Sequence, residues 1–331
     1  PVSRTPVWIM RQGGRYMPEY RALRQRHTFL EVCHTPEVAV EASMMPVDQL
    51  GIDGAIIFSD ILIPLEAMGM ALEFDEGKGP ILGDPIRSVS DLKRLRPFDP
   101  EKDARFLPDA VRLLKSRLDG RIPVLGFAGA PYTLACYAVE GKTARHYGKT
   151  KAFMLTDPAG FRELLSRLAD AAADLLLAQI EAGAELVQLF DTWAGDLMPD
   201  EFRAFALPFA ARVIERVQKT GVPIVYFVNG VGGKLTDIQA SGADVLGIDW
   251  RVSLEDVRAQ LGRGVVLQGN LDPCTLYAPP EVIAARVRDI LAQNGPGPHI
   301  FNLGHGILPD VPVAHAKALV DAVKTHGVHG A

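Results

Sequence analysis

The sequence predicts an α/β fold: a distorted (β/α)8 TIM barrel built as a single domain over residues 1–331. Three observations lead there. Seven short runs rich in β-branched and aromatic residues are bounded by turn residues: 54–60, 123–129, 185–191, 223–229, 244–250, 264–270 and 299–306. Each run is nearly continuous in apolar side chains instead of alternating, as parallel strands covered on both faces require. Amphipathic stretches of helical period separate them, and a strand–helix–strand rhythm without a low-complexity linker is the signature of a parallel sheet.

The clearest helix runs from about Asp157 to Ala182. Pro158 sits in its first turn, Phe161, Leu164, Leu165, Leu168, Ala172, Leu175 and Leu176 share one side, and Gly183 stops it. Gly51, Gly183 and Gly242 each close a helix within three residues of the next strand, a weak internal echo of one αβ unit. A barrel is favoured over an open, doubly wound sheet because no G-x-G-x-x-G follows the first strand and polar or glycine residues follow every strand. The eighth strand is not evident; it lies near Leu72–Phe74 or is irregular.

A chain of 331 residues with 48% hydrophobic and 23% charged residues can bury a sizeable core, which excludes a disordered polypeptide. No apolar run reaches the ~18 residues of a membrane span, and the opening PVSRTPVWIM lacks the layout of a secretory signal. A cytoplasmic protein is expected. Cys33, Cys136 and Cys274 are far apart and unpaired in spacing, so they read as buried small apolar residues and not as a disulfide or zinc framework.

The net charge of −5 argues against a nucleic-acid binder, yet it hides an asymmetry. Residues 1–27 carry +5, all of it from arginine against the single acid Glu19, so the remainder carries −10. Guanidinium groups match carboxylate or phosphate in a bidentate way that lysine does not. With Gly13, Gly14 and Pro18 imposing a defined turn, the Arg-rich segment, about residues 1–30, is expected to bind an anion in an active-site cleft; a solvated arm is the plainer alternative.

In a barrel of this kind the site lies at the C-terminal ends of the strands. The residues there are Asp60, the loop Gly129–Thr133 with Tyr137 beyond, Asp191 and Thr192, Asn229, Asp249 and Trp250, Asn270, and His305 between two glycines. Asp60 is either a carboxylate on the floor of a cleft or a helix N-cap before Leu62–Met70. His305 is the strongest candidate of the eight histidines, since Gly304 and Gly306 let backbone approach a ligand; the same loop could instead cradle phosphate. Thr192 and Tyr137 taken alone are nonspecific hydroxyls. No H-x-x-x-H, H-x-C or cysteine pair is present, and VNGVGGK (228–234) lacks the phosphate-loop spacing. The available chemistry is anion binding by arginine, one carboxylate and neighbouring general acids, with no metal and no cofactor.

The segments PVWIMRQGGRYMPEYR (6–21), GAIIFSDIL (54–62), GFAGAPYTL (126–134), LQGNLDP (267–273) and NLGHGI (302–307) together resemble the uroporphyrinogen decarboxylase family across nearly the whole chain. The resemblance implies a homodimeric cytoplasmic enzyme of haem and tetrapyrrole biosynthesis. It would convert uroporphyrinogen III to coproporphyrinogen III by removing four acetate carboxyls as CO2, with no cofactor. It implies that Arg11 and Arg15 bind carboxylate arms, with Gln12, Gly13 and Gly14 supplying backbone and Arg24 adding a contact. Asp60 would accept the pyrrole N–H groups and offset positive charge on the ring, while Tyr137, Thr192 and His305 surround the carboxylate arms. Asp60, Arg11, Tyr137 and His305 are thus the catalytic candidates, Arg11 as a proton donor only through close coupling or a relayed water, because a guanidinium is a poor general acid at neutral pH. Two alternatives stand beside this reading: a corrinoid- or thiol-dependent methyltransferase on a related barrel, which stoichiometric metal would reveal, and a porphyrinogen carrier that binds without releasing CO2.

Overall fold

The structure is a computed structural model that describes residues 3–75 and 79–328. All seven expected strands are present: β1 (Ala55–Ile56), β4 (Val124–Gly129), β5 (Leu186–Asp191), β6 (Ile224–Val228), β7 (Val245–Gly247), β8 (Val266–Leu271) and β9 (His299–Leu303). They form one curled parallel sheet in the order β1-β4-β5-β6-β7-β8-β9. Neighbours in space are neighbours in sequence except across the single β1-to-β4 step, which is the barrel topology that the rhythm of the chain predicts.

Leu72–Phe74 does not supply the eighth strand. It belongs to β2 (Leu72–Asp75), which pairs antiparallel with β3 (Gly79–Leu82) in a separate two-stranded sheet. The gap between β9 and β1 is spanned instead by Pro6–Met10. Phe301 N–H donates to the Pro6 carbonyl (2.8 Å), Trp8 N–H to the Phe301 carbonyl (3.3 Å) and, on the other side, Asp53 N–H to the Val7 carbonyl (2.7 Å). Periodicity misses this segment because one parallel bridge, Val7 to Phe301, is all the ladder it makes. The Asp53 carboxylate completes the joint, accepting from Val7 N–H (2.9 Å) and gripping the Arg4 guanidinium in a two-pronged ion pair.

Register sorts the side chains. Ile56 pairs with Leu125, Leu125 with Leu186, and Phe190 with Phe227, so these residues point the same way, into the lumen. There they pack with Trp8, Met10 and Ile300 in a cluster separate from the main core. A polar chain crosses this space: Trp8 Nε1 donates to Gln268 Oε1 (3.0 Å), and Gln268 Nε2 donates to Gln188 Oε1 (2.8 Å). The alternate residues face outward against the helices. The longest helix, Pro158–Glu181, begins one residue inside the expected span because Asp157 is its cap, its side chain accepting from Gly160 N–H (2.9 Å). Its predicted apolar side is buried throughout, and Gly183 takes the left-handed conformation (φ 110°) that ends it. Cys33 and Cys136 are buried as expected, but Cys274 is exposed, because it lies in the surface turn Pro273–Tyr277 after β8.

Candidate active site

Arg11, Ile61, Tyr137, Thr192, Trp193, Asn229, Trp250 and His305 line a cleft of about 280 Å3. They come from the joint after the N-terminal wall segment, from the loops after β1, β5, β6, β7 and β9, and, for Tyr137, from the helix Pro131–Glu140 that follows β4, so the cleft sits over the C-terminal ends of the strands. Arg11 is exposed and holds a left-handed backbone (φ 64°), unusual for a residue with a Cβ, which turns the chain sharply at the mouth of the barrel. Gln12 makes that turn rigid. Its Oε1 accepts from Ile9 N–H (3.1 Å), its Nε2 donates to the Gly54 carbonyl (3.1 Å), and its own carbonyl accepts from the Tyr16 hydroxyl (2.7 Å). Gly13 follows with its Cα against the backbone of Ala42, where a side chain would collide.

Asp60 adjoins the cleft beside Ile61. It is not a helix N-cap: the next helix is Ile63–Ala67, capped at Leu62 without a side-chain bond. One carboxylate oxygen, Oδ1, accepts from Leu62 N–H (2.8 Å), and Oδ2 has no protein donor among the described residues. Burial pushes this carboxyl up to about 6, against the opposing pull of the Leu62 N–H and the Arg11 guanidinium. The half-buried group is therefore mostly a carboxylate at neutral pH, with one oxygen held by Leu62 and the other open to a ligand's donor. The Tyr137 phenol is raised by burial and next by the Asp60 charge, and the Thr143 and Trp193 side chains reach it with opposing effect. His305 lies between the rings of Phe227 and Trp250, each 6.3 Å away centroid to centroid. Burial, then Arg11 and Arg251, bring its imidazole down to about 4, so it is neutral at pH 7 and can both donate and accept.

Beneath the Thr192 loop, the Asp191 carboxylate is fully buried and accepts from the Thr133 hydroxyl (2.7 Å) and the Tyr226 hydroxyl (2.8 Å). Burial raises it to about 6. Thr133 Oγ1 also accepts from Trp193 N–H (3.2 Å), so this buried group fixes the loop that carries Thr192 and Trp193 into the cleft.

Four of the residues singled out from the sequence, Arg11, Tyr137, Thr192 and His305, line one cleft, with Asp60 next to it. Gln12, Gly13 and Gly14 lie behind Arg11 as its support. Arg15 is exposed and outside the cleft lining, and its carbonyl accepts from the Arg21 guanidinium (2.8 Å). Arg24 is half-buried, donates to the His27 carbonyl (3.2 Å) and stands 5.6 Å from the Phe29 ring, which packs on Phe58 just before Asp60. Ile61, Trp193, Asn229 and Trp250 complete the lining. Asn229 and Trp250 are legible as strand-end residues, but nothing in their type or spacing gives them a role.

A parallel α/β barrel with a donor-poor carboxylate, a guanidinium and a neutral imidazole gathered at its strand ends is the framework of a barrel enzyme. The family model for uroporphyrinogen decarboxylase (URO-D) matches residues 1–326. Uroporphyrinogen decarboxylase of Chloroflexus aurantiacus is 49% identical over 98% of this chain and 93% of its own length. That of Geobacter metallireducens is 47% identical over 98% of this chain and 95% of its own. The chain belongs to the uroporphyrinogen decarboxylase family. Among solved structures, a methyltransferase from Methanosarcina mazei superposes with a TM-score of 0.78 at 21% identity, covering 98% of this chain and 95% of that one, a likeness of fold alone. No helix among the described residues is long and apolar enough to cross a membrane.

Proposed function

We propose that this protein decarboxylates the four acetate side chains of uroporphyrinogen III to methyl groups, yielding coproporphyrinogen III and CO2 in haem biosynthesis. The observation that carries the reading is the carboxylate of Asp60, short of donors, set beside Arg11 and Tyr137 at the rim of a strand-end cleft. Uroporphyrinogen presents four pyrrole N–H groups at its centre and eight carboxylates around its edge, so it needs an acceptor in the middle and cations outside. Asp60 accepts the N–H groups, and its charge stabilises the cation formed when a proton adds to a pyrrole carbon. The C–CO2 bond of the acetate arm then breaks, its electron pair flows into the cationic ring, and CO2 leaves an exocyclic methylene. Protonation of that carbon and loss of the ring proton restore the pyrrole with a methyl group. Each cycle consumes one proton, and the ring is its own electron sink.

Arg11 binds a carboxylate arm and, with Arg15 and Arg24 at its flank, supplies the positive rim; Gln12, Gly13 and Gly14 hold it there. Tyr137, Thr192 and the neutral His305 offer hydrogen bonds to the arms. The full reading includes a homodimer in the cytoplasm, acting without organic cofactor, metal, membrane or nucleic acid. Anaerobic incubation with uroporphyrinogen III, with products separated by carboxylate number, tests it. Conversion of the octacarboxylate to the tetracarboxylate is expected; binding without CO2 release would replace the enzyme with a carrier.

A further inference from the structure

A second cation adjoins the cleft, resting on two of its lining residues, Trp250 and Asn229. Arg251 follows the β7 loop residue Trp250, and its guanidinium lies over the Trp250 ring, 3.9 Å from the centroid. Its Nη1 donates to Asn229 Oδ1 (2.9 Å) and approaches Asp249 Oδ1 (3.3 Å). Trp250 and Asn229 both line the cleft, and Arg251 is close enough to His305 to help depress its protonation.

An exposed arginine paired with an aspartate is ordinarily a solvated surface group of little energetic consequence. This one differs in two respects. Asp249 is fully buried and already accepts the backbone N–H groups of Gly230, Val231 (2.8 Å) and Arg251 (2.8 Å), so its charge is largely engaged by the loops. The guanidinium itself is stacked on one side and tethered through Nη1, while Nε and Nη2 have no partner among the described residues and the side chain is 49% exposed. A planar cation with a fixed plane and two free N–H edges is pre-organised for a carboxylate and loses little freedom on binding one.

We infer that Arg251, stacked on Trp250 and tethered to Asn229, is a second anchor for a carboxylate arm of the substrate, on the loop after β7 beside the cleft that Arg11 also lines. The inference rests on the reading of the site as one for an anionic tetrapyrrole. A macrocycle with carboxylates on every side would be held at two points, which limits its rotation above Asp60. The residue adjusts binding and does not touch the reacting carbon.

The test compares Arg251→Ala, Arg251→Lys and Arg251→Gln with the parent in anaerobic turnover of uroporphyrinogen III, each variant first checked for an unchanged thermal midpoint. R251A should raise KM about tenfold and leave kcat within about twofold, as loss of uniform binding requires. R251K should recover part of that loss and R251Q none, and added salt should raise the KM of the parent more steeply than that of R251A. An unchanged KM in R251A, or a lysine variant no better than glutamine, overturns the assignment. If the parent releases no CO2, the decarboxylase reading fails, and equilibrium titration with the unconsumed uroporphyrinogen decides the anchor separately. Weaker binding by R251A then supports it, equal binding overturns it, and no binding by the parent overturns both.

Discussion

The aliphatic stem of Arg11 lies directly against the Cα of Gly306, so closely that a methyl group there would overlap its side chain. The first catalytic candidate in the chain and the loop after the last strand are thus one packing unit. The Ile307 N–H to Met10 carbonyl bond (2.9 Å) locks it from the backbone side. Gly306→Ala should displace the guanidinium from the cleft while leaving the lumen and helices intact. KM for the tetrapyrrole should rise roughly tenfold or more with little change in thermal midpoint, and steady-state kinetics beside a melting curve would show the split.

Asp60→Gly removes the acceptor at the cleft edge. Turnover should fall by about 100-fold or more, the range seen when a preorganised electrostatic partner is lost, with the fold retained. Single-turnover measurement with far-UV circular dichroism checks both halves, and near-normal rates would show that the carboxylate does not hold the ring.

Protonation of Asp60 should shape the acid limb of activity. Its folded pKa is raised to about 6, so the carboxylate is present above that pH and lost below it, and kcat/KM should decline about tenfold per unit beneath it. His305, down to about 4, is already neutral across that window and should not add a second limb. The pH profile of a His305→Gln variant should therefore keep the same acid midpoint at a lower rate.

Asp191 makes a stability prediction with a definite sign. Its folded pKa is about 6 against an ordinary 3.8, so its contribution is full below pH 3.8 and lost as pH rises through 6. Asp191→Asn abolishes that dependence. Relative to the variant, the parent should gain about 2 kcal/mol of unfolding free energy between pH 7 and pH 4.5, measured by urea denaturation. A constant difference between the two proteins would mean that Asp191 is ionised throughout.

Arg15→Ala should raise KM more than it lowers kcat if the exposed guanidinium meets an arm of the substrate. Initial rates over a range of substrate concentrations give the answer, and an unchanged KM would place Arg15 outside the binding surface.

The barrel and the greater part of its site are legible in the residues alone, because local chemistry governs them. Continuous apolar runs ask for two-sided burial, Asp157 and Gly183 punctuate a helix wherever it packs, and polar residues following buried strands must surface at their ends. The arginine-rich opening is distinctive by composition, and its resemblance to one family extends through five segments. What local pattern cannot carry is closure. Pro6–Met10 becomes the eighth wall because Phe301 and Asp53, nearly 300 and 50 residues away, offer it hydrogen bonds on both sides. Nothing within the segment marks it as a strand. The same holds for Arg251, stacked on Trp250 but tethered by Asn229 from another loop, and for the raised carboxyl of Asp60, which depends on burial. Sequence by itself determined the elements, the family and the identity of Asp60, Arg11, Tyr137 and His305 as candidates. The tertiary structure alone decided which of them share a cleft and in what protonation state, since proximity and desolvation are properties of the packed chain and not of any stretch of it.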